Sequence, residues 1–193
     1  MEIKMMDKQS SNSTEIIQAE IQTDSHLMFD GRVIQVFLDS VRLPDGKIAT
    51  REVVRHPGAV SILATTPDNQ IILVEQHRYP CGENLLEIPA GKLDIVGENP
   101  KNCALRELAE ETPYTAQSVD LIYTFYTSAG FSDEKMYLYR AHNIQANSTA
   151  SCDEDEYLQL RTMTQKEALN ALKTGKIKDA KTIIAMQFWL SNQ

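Results

Sequence analysis

The sequence lacks the features that mark disulfide-rich, zinc-finger and membrane proteins. It has three cysteines, Cys81, Cys103 and Cys152, with no C-x-x-C spacing, so we expect neither a disulfide framework nor a zinc site. No stretch approaches the roughly 18 consecutive apolar residues that a membrane span needs. The opening MEIKMMDKQSSNSTEI has no long apolar run, so we expect no secretory signal. The expected compartment is a reducing cytoplasm.

Positive charge is also in short supply. The formal net charge is −8 at pH 7, which argues against a nucleic-acid backbone as the main partner. A small anionic substrate remains compatible with this charge, because bound cations invert the local field. The 193 residues, 42% hydrophobic and 24% charged, suffice for one sizeable globular domain plus an extension.

Strand and turn signals dominate the first half of the chain. Residues 1–20 are polar and are expected to be mobile. Between Leu27 and Val54 we expect two or three strands, with a turn at Pro44-Asp45-Gly46. The apolar runs AVSILATT and IILVEQHRY follow, and each is typical of a strand buried at the centre of a sheet.

The second half mixes helices with strands. LIYTFYTS, KMYLYRAH and YLQLRTM are strand-like, and the last of them precedes two helices. A capping box from Thr164 to Glu167 opens the first helix, and Gly175 closes it. The second helix is expected at about 181–190. Mixed strands with helices both within and after the sheet predict an α/β sandwich.

An acidic helix carries the most specific chemical signal. Glu107, Glu110 and Glu111 are spaced i, i+3 and i+4, which stacks three carboxylates on one helix face. Like charges so placed repel one another unless a cation lies among them, and Mg²⁺ prefers oxygen ligands of this kind. Asn99 and Pro100 are typical of a helix start, while Pro113 predicts a helix end near Glu111.

The segment around this helix, GKLDIVGENPKNCALRELAEETPY from Gly91 to Tyr114, resembles the signature of the Nudix hydrolases, G-x5-E-x7-R-E-U-x-E-E-x-G-U. Two positions depart from it. Six residues rather than five separate Gly91 from Glu98, and Pro113 stands where the signature has glycine. Because proline cannot adopt the left-handed conformation, the exit of the helix must differ locally from the family pattern.

The resemblance extends over about residues 27–190 and points to the ADP-ribose pyrophosphatase branch. It is carried by HPGAV at 56–60, EQHRYP at 75–80, LEIPAGKLD at 86–94, FYTSAGFSDE at 125–134, DEDE at 153–156 and KDAKT at 178–182. It implies a Nudix α/β/α sandwich with a mixed sheet over 56–193, and a small N-terminal antiparallel β-sheet domain over 21–55. It also implies a homodimer in which the N-terminal domain of one subunit helps to form the other subunit's site.

For the metal site, the resemblance implies Mg²⁺, with Mn²⁺ as the alternative. The implied ligands and their supports are the backbone carbonyl of Ala90 together with Glu98, Glu107, Glu110 and Glu111. Arg106 is expected to hold the acidic face in shape through an ion pair. A general base is expected from the acidic loop, with Glu154 first and Glu156 second, while Glu111 is a rival.

For substrate contacts, the resemblance implies Arg55 and Arg78 for phosphate or ribose, and Glu87 and Glu134 for ribose hydroxyls. Phe29 is either an adenine platform or a packing residue. The implied reaction is hydrolysis of ADP-ribose to AMP and ribose 5-phosphate. The alternatives are a broader nucleoside-diphosphate-sugar pyrophosphatase and a catalytically silent nucleotide-binding domain. We expect no nucleic-acid or membrane partner.

Overall fold

The structure is a computed structural model, and it describes residues 19–146 and 157–192. The expected mobile segment therefore lies almost wholly outside the described residues, as does the acidic loop at 153–156. No helix in the described part of the chain is long and apolar enough to cross a membrane.

The N-terminal unit is a three-stranded antiparallel sheet, in the order β1-β2-β3. Its strands are β1 (Ile21–Asp30), β2 (Gln35–Arg42) and β3 (Ile48–Arg55). The turn between β2 and β3 is the expected one, since Gly46 has φ +85° and donates its N–H to the Leu43 carbonyl. A second turn, in which the Gly31 N–H donates to the Ile34 carbonyl, separates β1 from β2.

In its described residues the larger unit contains seven strands, three α-helices and a short 3-10 helix, Tyr79–Cys81. The strands are β4 (Ala59–Leu63), β5 (Ile71–Arg78), β6 (Glu83–Glu87), β7 (Ala90–Lys92), β8 (Thr115–Tyr126), β9 (Lys135–Gln145) and β10 (Gln159–Met163). The helices are α1 (Pro100–Glu111), α2 (Gln165–Lys173) and α3 (Ala180–Ser191). One sheet has the order β7-β4-β9-β8 and the other β10-β5-β6.

The larger unit has the layers expected of an α/β/α sandwich. The four-stranded sheet is mixed, because β4 pairs with β9 in parallel and the other pairs are antiparallel. One apolar core packs α1 against this sheet through Val60, Ile62 and Leu108. A second core packs α2 and α3 on the other side, around Met186 and Trp189. Full burial of each such large apolar side chain contributes about 1.5–3 kcal/mol.

The caps of α1 and α2 are those expected from the sequence. The Asn99 side chain accepts a hydrogen bond from the Lys101 N–H, and Thr112 leaves α1 in an extended conformation before Pro113. The capping box between Thr164 and Glu167 is complete. These local signals set the direction in which α1 presents its glutamates.

The N-terminal sheet joins the larger unit at the end of β3. The Val54 N–H donates to the Phe131 carbonyl at 2.7 Å, and the Asp133 N–H donates to the Val54 carbonyl at 3.1 Å. Arg55 also pairs with Asp133. The loop before β9 is thus held between the two units.

Candidate active site

A cavity of about 550 Å³ opens between α1 and the start of α3. Its walls come from β5, β6, β7, α1, the loop before β9 and the first turn of α3. Positions far apart in sequence therefore face one another across it.

One wall is acidic and comes from α1. Glu107, Glu110, Glu111 and Arg106 all line the cavity. The Arg106 Nη1 atom lies 2.8 Å from Glu107 Oε1 and 2.7 Å from Glu110 Oε2. Its Nε and Nη2 atoms donate to the two oxygens of Glu98 at 3.1 and 2.9 Å. The single positive charge of Arg106 is thus shared among three carboxylates, so the carboxylates on this wall outnumber its arginine.

Glu111 points more deeply into the protein than its helical neighbours. It is buried, and its Oε2 accepts the Ala90 N–H at 3.0 Å. Glu111 is therefore more enclosed than Glu107 and Glu110, which are half-buried. The hydrogen bond ties the end of α1 to β7, which lines the same cavity.

Gly91 makes room for the acidic wall. A Cβ atom on this residue would lie 1.8 Å from Cδ of Glu107 and 2.0 Å from its Oε1. Any side chain at position 91 would occupy the space that the Glu107 carboxylate fills. The close approach of the Glu107 carboxylate therefore explains the glycine, since the φ of Gly91 is not in the left-handed region.

The ionisation of this wall follows from its contacts. Hydrogen bonding to Glu98 raises the pKa of Arg106, and the same contact lowers the pKa of Glu98. Burial and the charge of Glu107 raise the pKa of the Cys103 thiol to about 12. At neutral pH the arginine is charged and the thiol is protonated, so Cys103 is a poor nucleophile.

The facing wall is built on a buried carboxylate. Glu87 is 2% exposed and accepts hydrogen bonds from Arg78 Nε and Nη2 at 2.7 and 2.8 Å. Lys181 at the start of α3 also contacts Glu87, and it lies 3.1 Å from Asp179. Burial would raise the pKa of Glu87, but Arg78 and Lys181 outweigh it and hold the pKa at about 2.

A third group of polar residues lies beside the loop before β9. Glu134, Thr127 and His56 line the cavity. The Thr127 hydroxyl donates to Glu134 Oε2, and the His56 N–H donates to Asp133 Oδ1 at 2.9 Å. These contacts place a carboxylate and an imidazole side by side.

Comparisons with known proteins agree with this geometry. The family profile described as "NUDIX domain" matches residues 55–186, more than half of the chain. The chain belongs to the Nudix family. A second profile, "Nucleoside diphosphate sugar hydrolase N-terminal domain", matches residues 20–54.

Two relatives and one solved structure illustrate what the chain is similar to. The chain is 46% identical to the methanol dehydrogenase activator of Bacillus methanolicus and 43% identical to the ADP-ribose pyrophosphatase of Bacillus subtilis. Each match spans 162 residues, 83% of this chain and 87% of the relative. A crystal structure described as an ADP compounds hydrolase superposes with a TM-score of 0.79 at 20% identity, covering 93% of this chain and 98% of that one, and so shows the fold alone.

The structure brings most of the predicted Nudix site residues together. Eight of them line the one cavity, namely Arg78, Glu87, Ala90, Arg106, Glu107, Glu110, Glu111 and Glu134. Glu98 does not line the cavity, but it accepts a hydrogen bond from Arg106, which does. Arg55 lies at the junction with the N-terminal sheet, and Phe29 is 56% exposed on β1, so neither lines the cavity of its own chain. Glu154 and Glu156 lie outside the described residues.

Among the polar cavity residues missing from the predicted set are His56, Thr127, Asp179 and Lys181. Their segments were recognised, but no individual residue in them stood out. His56 and Lys181 belong to HPGAV and KDAKT, whose local spacing carries no chemical pattern. What identifies them is their meeting across the cavity, a property of the tertiary fold.

The acidic wall fits a hard divalent cation by its chemistry. Its donors are carboxylate oxygens beside the Ala90 backbone, and Gly91 keeps Glu107 among them. Among residues 19–146 and 157–192, no three acidic, histidine or cysteine side chains are already arranged as metal ligands. Arg106 takes the place of a counter-ion there, so a metal must compete with its guanidinium for Glu107 and Glu110.

Proposed function

We propose that this Nudix protein is a metal-dependent hydrolase that cleaves the diphosphate of ADP-ribose to AMP and ribose 5-phosphate. The observation that carries the proposal is one cavity in which the acidic wall on α1 faces Arg78 and Lys181, both of which are ion-paired with Glu87. The 43% identity to a protein named ADP-ribose pyrophosphatase supports the substrate.

The proposed metal is Mg²⁺, with Mn²⁺ as the alternative. Glu107, Glu110 and Glu111 would hold it, together with the Ala90 carbonyl, and Glu98 would act through Arg106. A divalent ion bound there neutralises phosphate charge and acidifies water. The proposal rests on the donor set and on the fit of Glu107 over Gly91.

Arg78 is suited to hold a phosphate. Two of its donor atoms are used on Glu87, which fixes the guanidinium plane, and its side chain is still 40% exposed. An arginine has five N–H donors, so donors remain for a ligand in the cavity. Arg78 and Lys181 together keep Glu87 ionised, and the Glu87 carboxylate in turn fixes the position of Arg78.

The general base is proposed to be Glu154, with Glu156 second and Glu111 as the rival. Glu111 already accepts the Ala90 N–H and is buried, which favours a fixed role for it. A Glu154→Gln variant should lose turnover while keeping its metal affinity. An unchanged rate would move the base to one of the other two residues.

We also propose a homodimer whose N-terminal sheets complete the partner's site. Every residue of β1 is exposed, including Ile21, Leu27, Met28 and Phe29. So much apolar surface on one sheet is typical of an interface. In such a dimer Phe29 and Arg55 would reach the cavity of the partner subunit. The proposed compartment is the cytoplasm, in keeping with the free thiols of Cys81 and Cys103.

Two alternatives have specific support. The profile that matches residues 20–54 is described for nucleoside diphosphate sugar hydrolases, which favours a broader sugar range. The 46% identity to a methanol dehydrogenase activator favours a role in activating a dehydrogenase. Addition of the purified protein to a methanol dehydrogenase, with Glu110→Gln in parallel, would show whether activation occurs and whether it needs the acidic wall.

The test of the proposed function is a coupled phosphate-release assay. Purified protein, Mg²⁺, a phosphatase and a panel of nucleotide sugars should release most phosphate from ADP-ribose. Glu110→Gln should remove most activity with little effect on folding, because its side chain is 38% exposed. A flat profile over the panel would favour the broader hydrolase. Turnover of no diphosphate would favour the catalytically silent alternative.

A further inference from the structure

One ring nitrogen of His56, Nδ1, is hydrogen-bonded within the described part of the protein, and the other, Nε2, is not. The Gly58 N–H donates to Nδ1 at 3.0 Å, and a backbone N–H can only donate. Nδ1 is therefore the unprotonated nitrogen, and Nε2 carries the hydrogen. The backbone hydrogen bond from His56 to Asp133 holds the residue in place.

The Nε2–H group is available to a ligand. No described residue accepts a hydrogen bond from it. Because it is also absent from the set of buried polar atoms without partners, Nε2 is accessible from outside the protein. The side chain is 11% exposed, and it lines the cavity. The exposed donor is thus presented to the space in which a substrate would lie.

Glu134, which neighbours His56, limits which chemical groups a ligand could place here. Glu134 Oε1 lies 3.9 Å from Nδ1 of the His56 ring, so the Glu134 carboxylate, an acceptor, neighbours a ring whose other nitrogen, Nε2, is a donor. A hydroxyl group both donates and accepts, and it can satisfy both side chains. A phosphate oxygen accepts only, and the Glu134 carboxylate would repel it.

We propose that His56 and Glu134 together bind a sugar hydroxyl of the substrate, with His56 Nε2–H as the donor. This inference rests on the proposed function, since it assigns a specificity-determining residue to the same cavity. The hydroxyl belongs either to the nucleoside ribose or to the second sugar. If the hydroxyl belongs to the nucleoside ribose, both ADP and ADP-ribose need His56 for binding. If it belongs to the second sugar, only ADP-ribose does.

The test uses two replacements that each keep one half of the imidazole. In His56→Asn the amide oxygen can still accept the Gly58 N–H, but the distal donor is lost. In His56→Gln the amide nitrogen can reach the distal position, but the Gly58 acceptor is lost. His77→Asn is the matched control, because His77 is exposed, pairs with Asn84 and does not line the cavity.

Dissociation constants for ADP-ribose, ADP and pyrophosphate are measured by calorimetry in EDTA, and hydrolysis with Mg²⁺ is measured in parallel. We expect His56→Asn to weaken ADP-ribose binding about tenfold, His56→Gln to restore part of it, and pyrophosphate binding to stay unchanged. Weakened ADP binding as well assigns the hydroxyl to the nucleoside ribose, and unchanged ADP binding assigns it to the second sugar.

If wild type and His56→Asn bind ADP-ribose equally well, the inference is wrong and the proposed function is unaffected. The same holds if His56→Asn weakens pyrophosphate binding as much as ADP-ribose binding. Binding that depends on His56 without hydrolysis would overturn the proposed function alone. A wild-type protein that binds no ADP-ribose would overturn both.

Discussion

At the scale of single residues, a methyl group added at Gly91 should affect catalysis far more than folding. The three atoms nearest to a Cβ there all belong to the end of the flexible Glu107 side chain, which can swing away. We expect Gly91→Ala to change the free energy of unfolding by less than about 1 kcal/mol. Because Glu107 would leave the acidic wall, kcat/KM should fall about 100-fold.

The matched control is Gly130→Ala. Nothing lies within 4 Å of a Cβ at position 130, and its φ is not left-handed. Steady-state kinetics and thermal unfolding on both variants would separate the two effects. Near-normal turnover by Gly91→Ala would show that the position of Glu107 is unimportant to the reaction.

Single residues also show what a sequence can predict about the site. Glu107, Glu110 and Glu111 are readable because one helix sets their spacing. Lys181 is not, since it meets Glu87 from 94 positions away in the chain. Its partner is decided by the packing of α3 against the sheet, and no local pattern records that packing.

At the scale of elements, the first turn of α3 links stability to the cavity. Asp179 caps the helix through the Thr182 N–H at 2.9 Å and also contacts Lys181. Asp179→Ala should cost about 1 kcal/mol of stability, the usual value of a lost cap. It should also raise KM for ADP-ribose by roughly tenfold, because Lys181 then loses one of its two carboxylates.

Thr164→Ala removes an equivalent cap from α2, whose first turn does not line the cavity. It should cost a similar amount of stability and leave KM unchanged. Chemical denaturation and initial rates on the two variants give both quantities. Equal KM values would mean that the cap of α3 acts on folding alone.

Elements differ in how far their sequences define them. The bounds of α1 follow from Asn99, Pro100 and Pro113, which act within a few residues. The residue pattern predicted strand only from Leu27 and the resemblance placed the β domain from residue 21, because all ten residues of β1 are exposed and it has no alternating buried face. A strand of that kind depends on its pairing with β2 and on whatever covers it.

At the scale of the whole molecule, the exposed N-terminal sheet predicts a dimer. The 21.8 kDa chain should sediment at about twice its mass. Met28→Asp places a charge on β1, where Met28 is 64% exposed, and should shift the protein toward monomer and lower its activity. The activity falls because Phe29 and Arg55 would no longer reach the partner's cavity.

Leu169→Asp is the control for that substitution, since Leu169 is 44% exposed on α2, which is not part of the N-terminal sheet. It should leave both mass and activity unchanged in sedimentation velocity and kinetic assays. A wild-type protein that sediments as a monomer and is fully active would contradict the shared site.

The central claim is that the acidic wall, loaded with a divalent ion, lets water split the diphosphate of ADP-ribose. The most direct measurement is chromatography of ADP-ribose after incubation with the protein and Mg²⁺, with and without excess EDTA. We predict AMP and ribose 5-phosphate in equal amounts, and neither product when EDTA is present. Intact ADP-ribose in both samples, or the same products at the same rate with EDTA, would contradict the account.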